Sequence, residues 1–198
     1  MGFTLHTHQE AAVDMTAASL RSGRRRPMLQ LPCGGGKTII ASEIFNRALA
    51  KGKRAIFTVP SISLIDQTHQ KFFQAGIYDV GIIQANHPLT NRYAPIQIAS
   101  VQTLMRRKLP EDFHLAMVDE GHLRWKFYST WMNDPGWKKV PFIGLSGTPW
   151  SKGLAEDYDD LIIGSTAKGL LEKGVETAKQ ESPAEDEGKK KFSKSYGA

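Results

Sequence analysis

Short apolar runs alternate along this chain with segments of helical periodicity. Six runs of six or seven residues are rich in Ile, Leu, Val, Phe and Met. Several are apolar at consecutive positions, as are strands buried on both faces in a parallel sheet. The predicted strands lie at residues 27–32, 54–60, 79–84, 95–100, 115–120 and 141–147.

Two of the intervening segments, residues 38–50 and 61–75, repeat apolar side chains at the spacing of one helix face. The face residues are Ile40, Ile44, Phe45 and Ala48 in the first segment and Leu64, Ile65, Thr68 and Phe72 in the second. This alternation of strands and helices predicts an α/β fold of three layers, in which helices cover both faces of a mostly parallel sheet.

Length and charge divide the chain in two. Its 198 residues, 40% of them hydrophobic, suffice for one full-sized domain, which we predict to occupy residues 1–171. Residues 172–198 carry six lysines, six acidic residues and few large apolar groups. Burial cannot offset the entropy of ordering such a segment, so it is predicted to be a charged, disordered tail. The segment 158–174 is expected to begin a connection to a further domain.

Charge and cysteine content narrow the class of protein. The net charge of +6 comes entirely from residues 1–171, which hold 20 basic and 14 acidic residues. This excess is compatible with nucleic-acid binding, but it fits an ordinary soluble enzyme equally well. Cys33 is the only cysteine, which excludes an intrachain disulfide and a cysteine-based zinc site. With no membrane-length apolar run and no visible secretory signal, we expect a cytoplasmic protein.

A glycine-rich stretch joins the first predicted strand to the first predicted helix. It consists of Pro32, Cys33, Gly34, Gly35, Gly36, Lys37 and Thr38. Glycines let successive backbone N–H groups turn inward, where they and the helix N-terminus bind phosphate. Lys37 is then placed to reach β- and γ-phosphate oxygens, and the Thr38 hydroxyl to ligate Mg²⁺. The alternative is a glycine-rich turn with a chance Lys-Thr pair, which the flanking strand and helix disfavour, although Leu31 replaces the usual first glycine.

A second motif places two carboxylates at the end of the fifth predicted strand, at Asp119 and Glu120. Ligands of parallel α/β sheets bind at the carboxyl ends of the strands, so these acids are expected beside the glycine-rich loop. One carboxylate can then hold the Mg²⁺ shell while the other orients and deprotonates a water. Adjacent acids at a strand end can also form a solvated turn, but their pairing with Lys37 favours the nucleotide site.

Five motifs in order resemble those of the superfamily 2 DEAD/DEAH-box helicases, and within them the restriction-enzyme-helicase-like group. The resemblance covers roughly residues 5–170. The motifs lie at 32–38 (motif I), 59–67 (Ia), 100–104 (Ib), 119–122 (the DEAH box, here DEGH) and 146–149 (III). Each motif alone is weak, and their order makes them specific. The resemblance implies a P-loop NTPase domain of the RecA-like type.

The resemblance also implies roles for residues at the matching positions. Asp119 would hold Mg²⁺ through its water shell, and Glu120 would be the general base. Together with Lys37 these residues form the expected catalytic set. Three further residues, His122, Ser146 and Thr148, would couple the state of the nucleotide to nucleic acid and to a neighbouring domain. The implied cofactors are ATP and Mg²⁺.

Gln9 resembles the glutamine with which these proteins recognise adenine. The family pattern usually has an arginine three residues earlier and an aromatic residue just before the glutamine, where this chain has His6 and His8. Gly121 and Gly147 stand where the family has alanine. These glycines are expected to add backbone freedom without abolishing the chemistry.

The nucleic-acid contact implied by the resemblance is with the phosphate backbone of a single strand. Ser61 opens a predicted helix, while Gln102 and Thr103 follow a predicted strand end. Such hydroxyl, amide and backbone N–H donors hold phosphates without reading bases. DNA is the expected nucleic acid.

Helicases of this superfamily bind ATP between two RecA-like domains, and the second domain supplies an arginine finger. Nothing after residue 150 resembles that domain, so the chain is predicted to be a truncated or split helicase, or a natural lone first domain. The expected function is that of the ATP-binding domain of an ATP-dependent DNA helicase or translocase, weakly hydrolytic without its second domain, which would bind in cis or in trans. The alternative is a non-catalytic, nucleotide-dependent module that binds DNA or a protein.

Overall fold

The computed structural model describes residues 5–32 and 34–165, and in these residues seven strands form one sheet. The strands are β1 (Pro27–Gln30), β2 (Ala55–Val59), β3 (Val80–Ile83), β4 (Ile96–Ser100), β5 (Leu115–Val118), β6 (Phe142–Ser146) and β7 (Asp160–Ile163). The helices are α1 (Thr7–Arg21), α2 (Lys37–Leu49), α3 (Ile65–Gln74), α4 (Val101–Leu104), α5 (Lys126–Met132) and α6 (Leu154–Asp157). A single 3₁₀ turn, Ile62–Leu64, precedes α3.

Within the described residues the strand order is β3-β4-β2-β5-β6-β1-β7, and every neighbouring pair is parallel. All the strands therefore end at the same edge of the sheet, which we call the carboxyl edge. The loops after β1, β5 and β6 are neighbours along this edge, as are those after β2 and β4. Sequence segments far apart along the chain meet here because parallel strands need a crossover between them.

Two apolar clusters, one on each face of the sheet, form the core. Alternate residues of a strand enter opposite clusters, as the pleat requires. Leu29 of β1, for example, belongs to the cluster packed by α1, α2 and α3, whereas Met28 belongs to the cluster packed by α4, α5 and α6. The fold is thus the predicted three-layer α/β arrangement.

The six strands predicted from apolar runs are all present, and both predicted helices are confirmed to within a residue or a 3₁₀ turn of their bounds. One expectation differs. Residues 160–163, placed by the sequence at the start of an interdomain connection, form β7 and pair in parallel with β1. This part of the segment belongs to the sheet because Ile162 is buried in the same cluster as Leu29.

Part of the predicted organisation lies outside the described residues. The domain boundary at 171, the tail 172–198 and Cys33 in the glycine-rich loop all fall there. Among the helices that the structure describes, none has the length and apolar character needed to cross a membrane.

Candidate functional site

The glycine-rich loop turns sharply between β1 and α2. The Gly35 N–H donates to the Pro32 carbonyl at 2.9 Å, which closes the turn. Gly34 and Gly36 have φ of 81°, in the left-handed region that glycine adopts without a steric penalty. Gly36 directly precedes α2, so the first N–H groups of that helix, which have no partner within it, face the loop. This is the backbone arrangement that binds a phosphate.

Lys37, the first residue of α2, extends to the carboxylate that follows β5. Its Nζ lies 2.6 Å from Glu120 Oε1, and both side chains are largely shielded, with 19% and 32% of their surfaces exposed. These residues are 83 positions apart in sequence. The sheet order brings them together, because β5 and β1 both flank β6 and all three strands end at one edge.

Asp119, the first of the two acids after β5, is partly buried. Its backbone N–H donates to the Thr58 carbonyl at 2.9 Å, which continues the pairing of β5 with β2. Burial raises the pKa of the Asp119 carboxyl, while the nearby Lys37 ammonium opposes that rise. A cation at this carboxylate would relieve the cost of keeping the charge buried, as expected of an ion-binding group.

Glu120 adopts a left-handed backbone conformation, with φ of 50°. Such a conformation is uncommon in a residue other than glycine and is stabilised here by both neighbours. The Asp119 carboxylate accepts the Glu120 N–H at 3.1 Å, and the Gly121 N–H donates to the Leu145 carbonyl of β6 at 2.9 Å. The chain thus leaves β5 through a tight reversal that presents the Glu120 carboxylate to Lys37.

His122 connects this loop with the loop after β6. Its Nδ1 lies 2.8 Å from Ser146 Oγ and 3.3 Å from Glu120 Oε2. The Thr148 N–H donates to Ser146 Oγ at 3.0 Å. The three residues to which the sequence assigned a coupling role are therefore in one chain of polar contacts that ends at Glu120.

Gln9 lies on α1 beside the glycine-rich loop and is 4% exposed. Its Oε1 accepts the His6 N–H at 3.0 Å, a contact that caps the first turn of α1. Its Nε2 lies against Gly36, where an added Cβ would come within 2.2 Å of it. The structure therefore places Gln9 against the glycine-rich loop and shows that it also caps the first turn of α1.

The three residues expected to hold a nucleic-acid backbone also lie at the carboxyl edge, in the loops after β2 and β4. Ser61 follows β2, and Gln102 and Thr103 lie in α4, directly after β4. Because Val59 pairs with Ser100, the two groups are on neighbouring strands. Gln102 is exposed, whereas Thr103 is partly buried and its Oγ1 accepts a hydrogen bond from Ser100 Oγ at 2.9 Å.

Sequence reasoning missed several residues that hold the loop after β5. Arg124 forms ion pairs with Glu156 and Asp157, and the Ser151 hydroxyl donates to the His122 carbonyl. Tyr158 lies directly beneath Gly121. None of these residues forms a recognisable spacing with the motifs, so only the fold identifies them.

The structure also corrects the reading of Gly121. This residue does not have a positive φ. A Cβ here would lie 2.8 Å from the Tyr158 hydroxyl, 3.0 Å from Met28 Cε and 3.2 Å from Gly144 Cα. Glycine at this position provides space for Tyr158 rather than backbone freedom.

Comparison with known proteins places these motifs in a family. The family model described as type III restriction enzyme, res subunit, matches residues 2–151. A 51.5 kDa protein of a Lactococcus phage is 30% identical over 152 residues, covering 73% of this chain and 29% of that protein. A probable helicase of African swine fever virus is 28% identical over 197 residues, covering 85% of this chain and 22% of the viral protein.

Among solved structures, the UvsW helicase of bacteriophage T4 superposes with a TM-score of 0.70 at 20% sequence identity. The match covers 82% of this chain and 62% of that chain, and it confirms the RecA-like fold. The chain spans 29% and 22% of the length of the two curated relatives described above.

Proposed function

The chain belongs to the family of the type III restriction enzyme res subunit, a helicase-like family, and from this premise we propose that it is the ATP-binding domain of an ATP-dependent DNA helicase or translocase. In this proposal it binds Mg-ATP at the loops after β1, β5 and β6, and a nucleic-acid backbone at those after β2 and β4. Hydrolysis by this domain alone is slow.

The observation that carries the proposal is the 2.6 Å contact between Lys37 and Glu120. It joins the glycine-rich loop to the acidic motif at one edge of the sheet, and each has a side chain of the type that the chemistry of ATP needs. An ammonium group binds phosphate oxygens, and a carboxylate accepts a proton from water. Because Glu120 is in place beside Lys37, we propose the catalytic function and not the non-catalytic module.

The residues present fit ATP with Mg²⁺. Because Gly36 has no Cβ, the side chain of Gln9 can lie directly against the glycine-rich loop. The N-terminus of α2, which follows Gly36, offers unpaired N–H groups to phosphate. The Thr38 hydroxyl and the Asp119 carboxylate are hard oxygen donors, which suit Mg²⁺ better than nitrogen or sulfur ligands do. Among the described residues no group of three or more His, Cys, Asp or Glu side chains forms a metal cluster, and Mg²⁺ with ATP needs none because phosphates and waters complete its shell. When bound, Mg²⁺ neutralises charge on the phosphates.

The protein's own groups then divide the work. Lys37 exchanges the Glu120 carboxylate for phosphate oxygens, and this exchange frees Glu120 to orient a water molecule and take its proton. Ser146 and Glu120 both contact His122, so a movement of the Glu120 carboxylate is passed through His122 to the loop after β6. Through Thr148, which donates to Ser146, the change reaches the rim of the site.

The proposed nucleic-acid contact uses donors that carry no sequence information. Ser61, Gln102 and Thr103 offer hydroxyl, amide and N–H groups, which suit phosphate oxygens.

A second RecA-like domain, in cis or in trans, would complete the nucleotide site and provide the arginine finger. DNA and ATP occur together in the cytoplasm of a bacterial cell, and we propose that location.

Replacing the proposed base provides the direct test. Glu120→Gln keeps the size of the side chain but removes its ability to accept a proton, so Mg-ATP binding should persist while hydrolysis falls by about 10²-fold or more. Calorimetry measures the first quantity and single-turnover hydrolysis the second. Glu111→Gln is the matched control, because Glu111 is an exposed acid paired with Lys108 outside the site. Equal turnover in wild type and Glu120→Gln would show that Glu120 is not the base.

A further inference from the structure

The segment of residues 151–158, which includes α6, touches the loop after β5 at several points. We propose that this segment, here called the bracket, positions Glu120 and His122 for ATP hydrolysis and contains the positioning residues Ser151, Asp157 and Tyr158. The inference rests on the proposed function. It is separate from the contact of His122 with Ser146, which the helicase motifs already predict.

The first contact is an arginine fork. Arg124 Nε lies 3.0 Å from Asp157 Oδ2, and Nη2 lies 2.8 Å from Glu156 Oε2. Its Nη1 donates to the Lys152 carbonyl at 3.1 Å, so one guanidinium group is bound to three residues of the bracket. The Asp157 side chain is 9% exposed and that of Glu156 is 73% exposed. The pair with Asp157 is therefore the one that water screens least.

Arg124 also packs directly against the backbone of Gly153. Its φ of 78° is in the left-handed region, and a Cβ on it would lie 2.3 Å from Arg124 Nη1. The backbone of the bracket thus bends to let the guanidinium group approach, and a larger residue would push Arg124 out of its fork.

The second contact holds the backbone of His122. The Ser151 hydroxyl donates to the His122 carbonyl at 2.8 Å. Because the ring of His122 contacts Glu120 and Ser146 while its carbonyl is bound by Ser151, the residue is held from both sides.

The third contact is a matched pair of a glycine and an aromatic ring. The Tyr158 hydroxyl lies under Gly121, where a Cβ would come within 2.8 Å of it. The ring of Tyr158 lies on Gly144 of β6, where a Cβ would come within 2.6 Å of ring atom Cε1. Tyr158 is 3% exposed, and burial raises the pKa of its phenol, so the hydroxyl stays protonated at working pH.

These contacts bear on Glu120 because of its position in the loop. Asp119 and Gly121 are hydrogen-bonded to β2 and β6, respectively, and Glu120 lies between them in its left-handed conformation. The bracket fixes Gly121, His122 and Arg124 from the other side. Displacing Gly121 by the few tenths of an ångström that a methyl group demands would move the carboxylate of Glu120. A catalytic group displaced by about 1 Å can lose roughly 10²-fold in rate.

A double-mutant cycle tests the pair of Gly121 and Tyr158. Gly121→Ala should lower the single-turnover rate of ATP hydrolysis by roughly 10- to 100-fold, with ATP affinity changed much less. Adding Tyr158→Phe removes the nearest atom, the hydroxyl, and should restore part of that rate. The contacts with Met28 and Gly144 remain, so the recovery should be incomplete.

Two controls separate positioning from general damage. Gly144→Ala would clash with ring atoms, which Tyr158→Phe leaves in place, so that second substitution should not rescue it. Gly136→Ala, at an exposed position where a Cβ would meet only Asp134 Oδ1 at 3.2 Å, should behave as wild type. Rescue of Gly144→Ala to the same degree as Gly121→Ala would overturn the proposal.

An independent readout needs no ATP. Amide hydrogen exchange of the Gly121 and Leu123 N–H groups, which donate to Leu145 and Glu120, reports how well the loop is held. In Arg124→Ala these two amides should exchange faster while the amides of β2 keep their protection, and Arg124→Lys should lie between that variant and wild type. Uniform acceleration across the sheet, or none at all, would overturn the proposal. If the wild-type protein has no ATPase activity, the proposed function is wrong. The exchange rates of the Gly121 and Leu123 amides would still show whether the bracket holds the loop after β5.

Discussion

Lys37 and Glu120 are the residues through which the site is assembled. Each would be costly to bury alone, with most of its side chain shielded from water, and their 2.6 Å contact offsets that cost. Because the same contact holds the Lys37 ammonium beside the glycine-rich loop, replacing Lys37 is the most direct test of phosphate binding by that loop.

Lys37→Ala should weaken Mg-ATP binding about tenfold or more. A charge-assisted hydrogen bond contributes about 1.5–3 kcal/mol, and about 1.4 kcal/mol corresponds to a tenfold change in affinity. Calorimetric titration with Mg-ATP measures the change, and Lys51→Ala, at an exposed lysine in the turn after α2, is the control. Unchanged affinity in Lys37→Ala would contradict the assignment of the loop.

Asp119 should destabilise the fold when it is ionised. Its pKa is raised by burial, so the folded state binds more protons than the unfolded state between the ordinary pKa of 3.8 and the raised value. Stability then falls as pH rises through that interval and stays lower above it. Asp119→Asn should therefore raise the melting temperature at neutral pH in metal-free buffer, and the gain should shrink as pH falls towards 3.8.

Thermal melts of wild type and Asp119→Asn across pH 3–7 would measure this difference. The amide oxygen of asparagine can still accept the Glu120 N–H, so this hydrogen bond is retained. A variant less stable than wild type at neutral pH would show that Lys37, rather than burial, dominates the energetics of this carboxylate.

At the scale of the element, β7 shows how a short segment is recruited to the sheet. It pairs with β1 over four residues, and its start is held by the carboxylate of Asp159, which accepts the N–H groups of Arg25 and Arg26 at 2.7 and 2.9 Å. Ser19 of α1 donates to Asp160, so the helix, the loop before β1 and the edge strand are joined.

Asp159→Ala should lower the free energy of unfolding by about 1–3 kcal/mol, because two backbone N–H groups lose a charged acceptor. In a domain of this size the melting temperature should fall by roughly 2–4 °C for each kcal/mol. Asp79→Ala is the matched control, since Asp79 is an exposed acid just before β3. Equal losses in the two variants would mean that the Asp159 contacts do not hold β7.

At the scale of the whole molecule, the strand order separates two kinds of loop along one edge. The candidate nucleotide loops follow β5, β6 and β1, whereas the candidate nucleic-acid loops follow β4 and β2. The two groups adjoin at the pair β2 and β5, where the Thr58 carbonyl accepts the Asp119 N–H. Asp119 is thus hydrogen-bonded to β2, the strand that leads to Ser61, so a movement of Asp119 can be passed to the loop that contains Ser61.

The isolated chain should bind Mg-ATP, hydrolyse it slowly and fail to unwind a duplex. A missing arginine finger costs about 10³–10⁵ in rate in enzymes that use one, and unwinding needs two domains that close and open around ATP. ATPase and unwinding assays on the 198-residue chain, with and without a second RecA-like domain added in trans, measure these effects. Unwinding by the chain alone at ordinary helicase rates would contradict the prediction.

The sequence by itself determined six of the seven described strands and the identity of the chemical groups. Buried parallel strands must be apolar on both faces, so the runs around Phe57 and Met117 were readable without any partner. Gly36, Lys37, Asp119 and Glu120 were singled out as candidates because phosphate and metal chemistry restricts which residue types can occupy such positions.

Only the tertiary structure decided which groups meet and what holds them. No local pattern predicts that Tyr158 occupies the space left by Gly121, or that β7 completes the sheet beside β1. The left-handed backbone of Glu120 likewise depends on hydrogen bonds to β2 and β6 at its two neighbours. These features arise from contacts between residues distant in sequence. The amino-acid sequence states which residue types are present, but it does not state which of them lie close together in space.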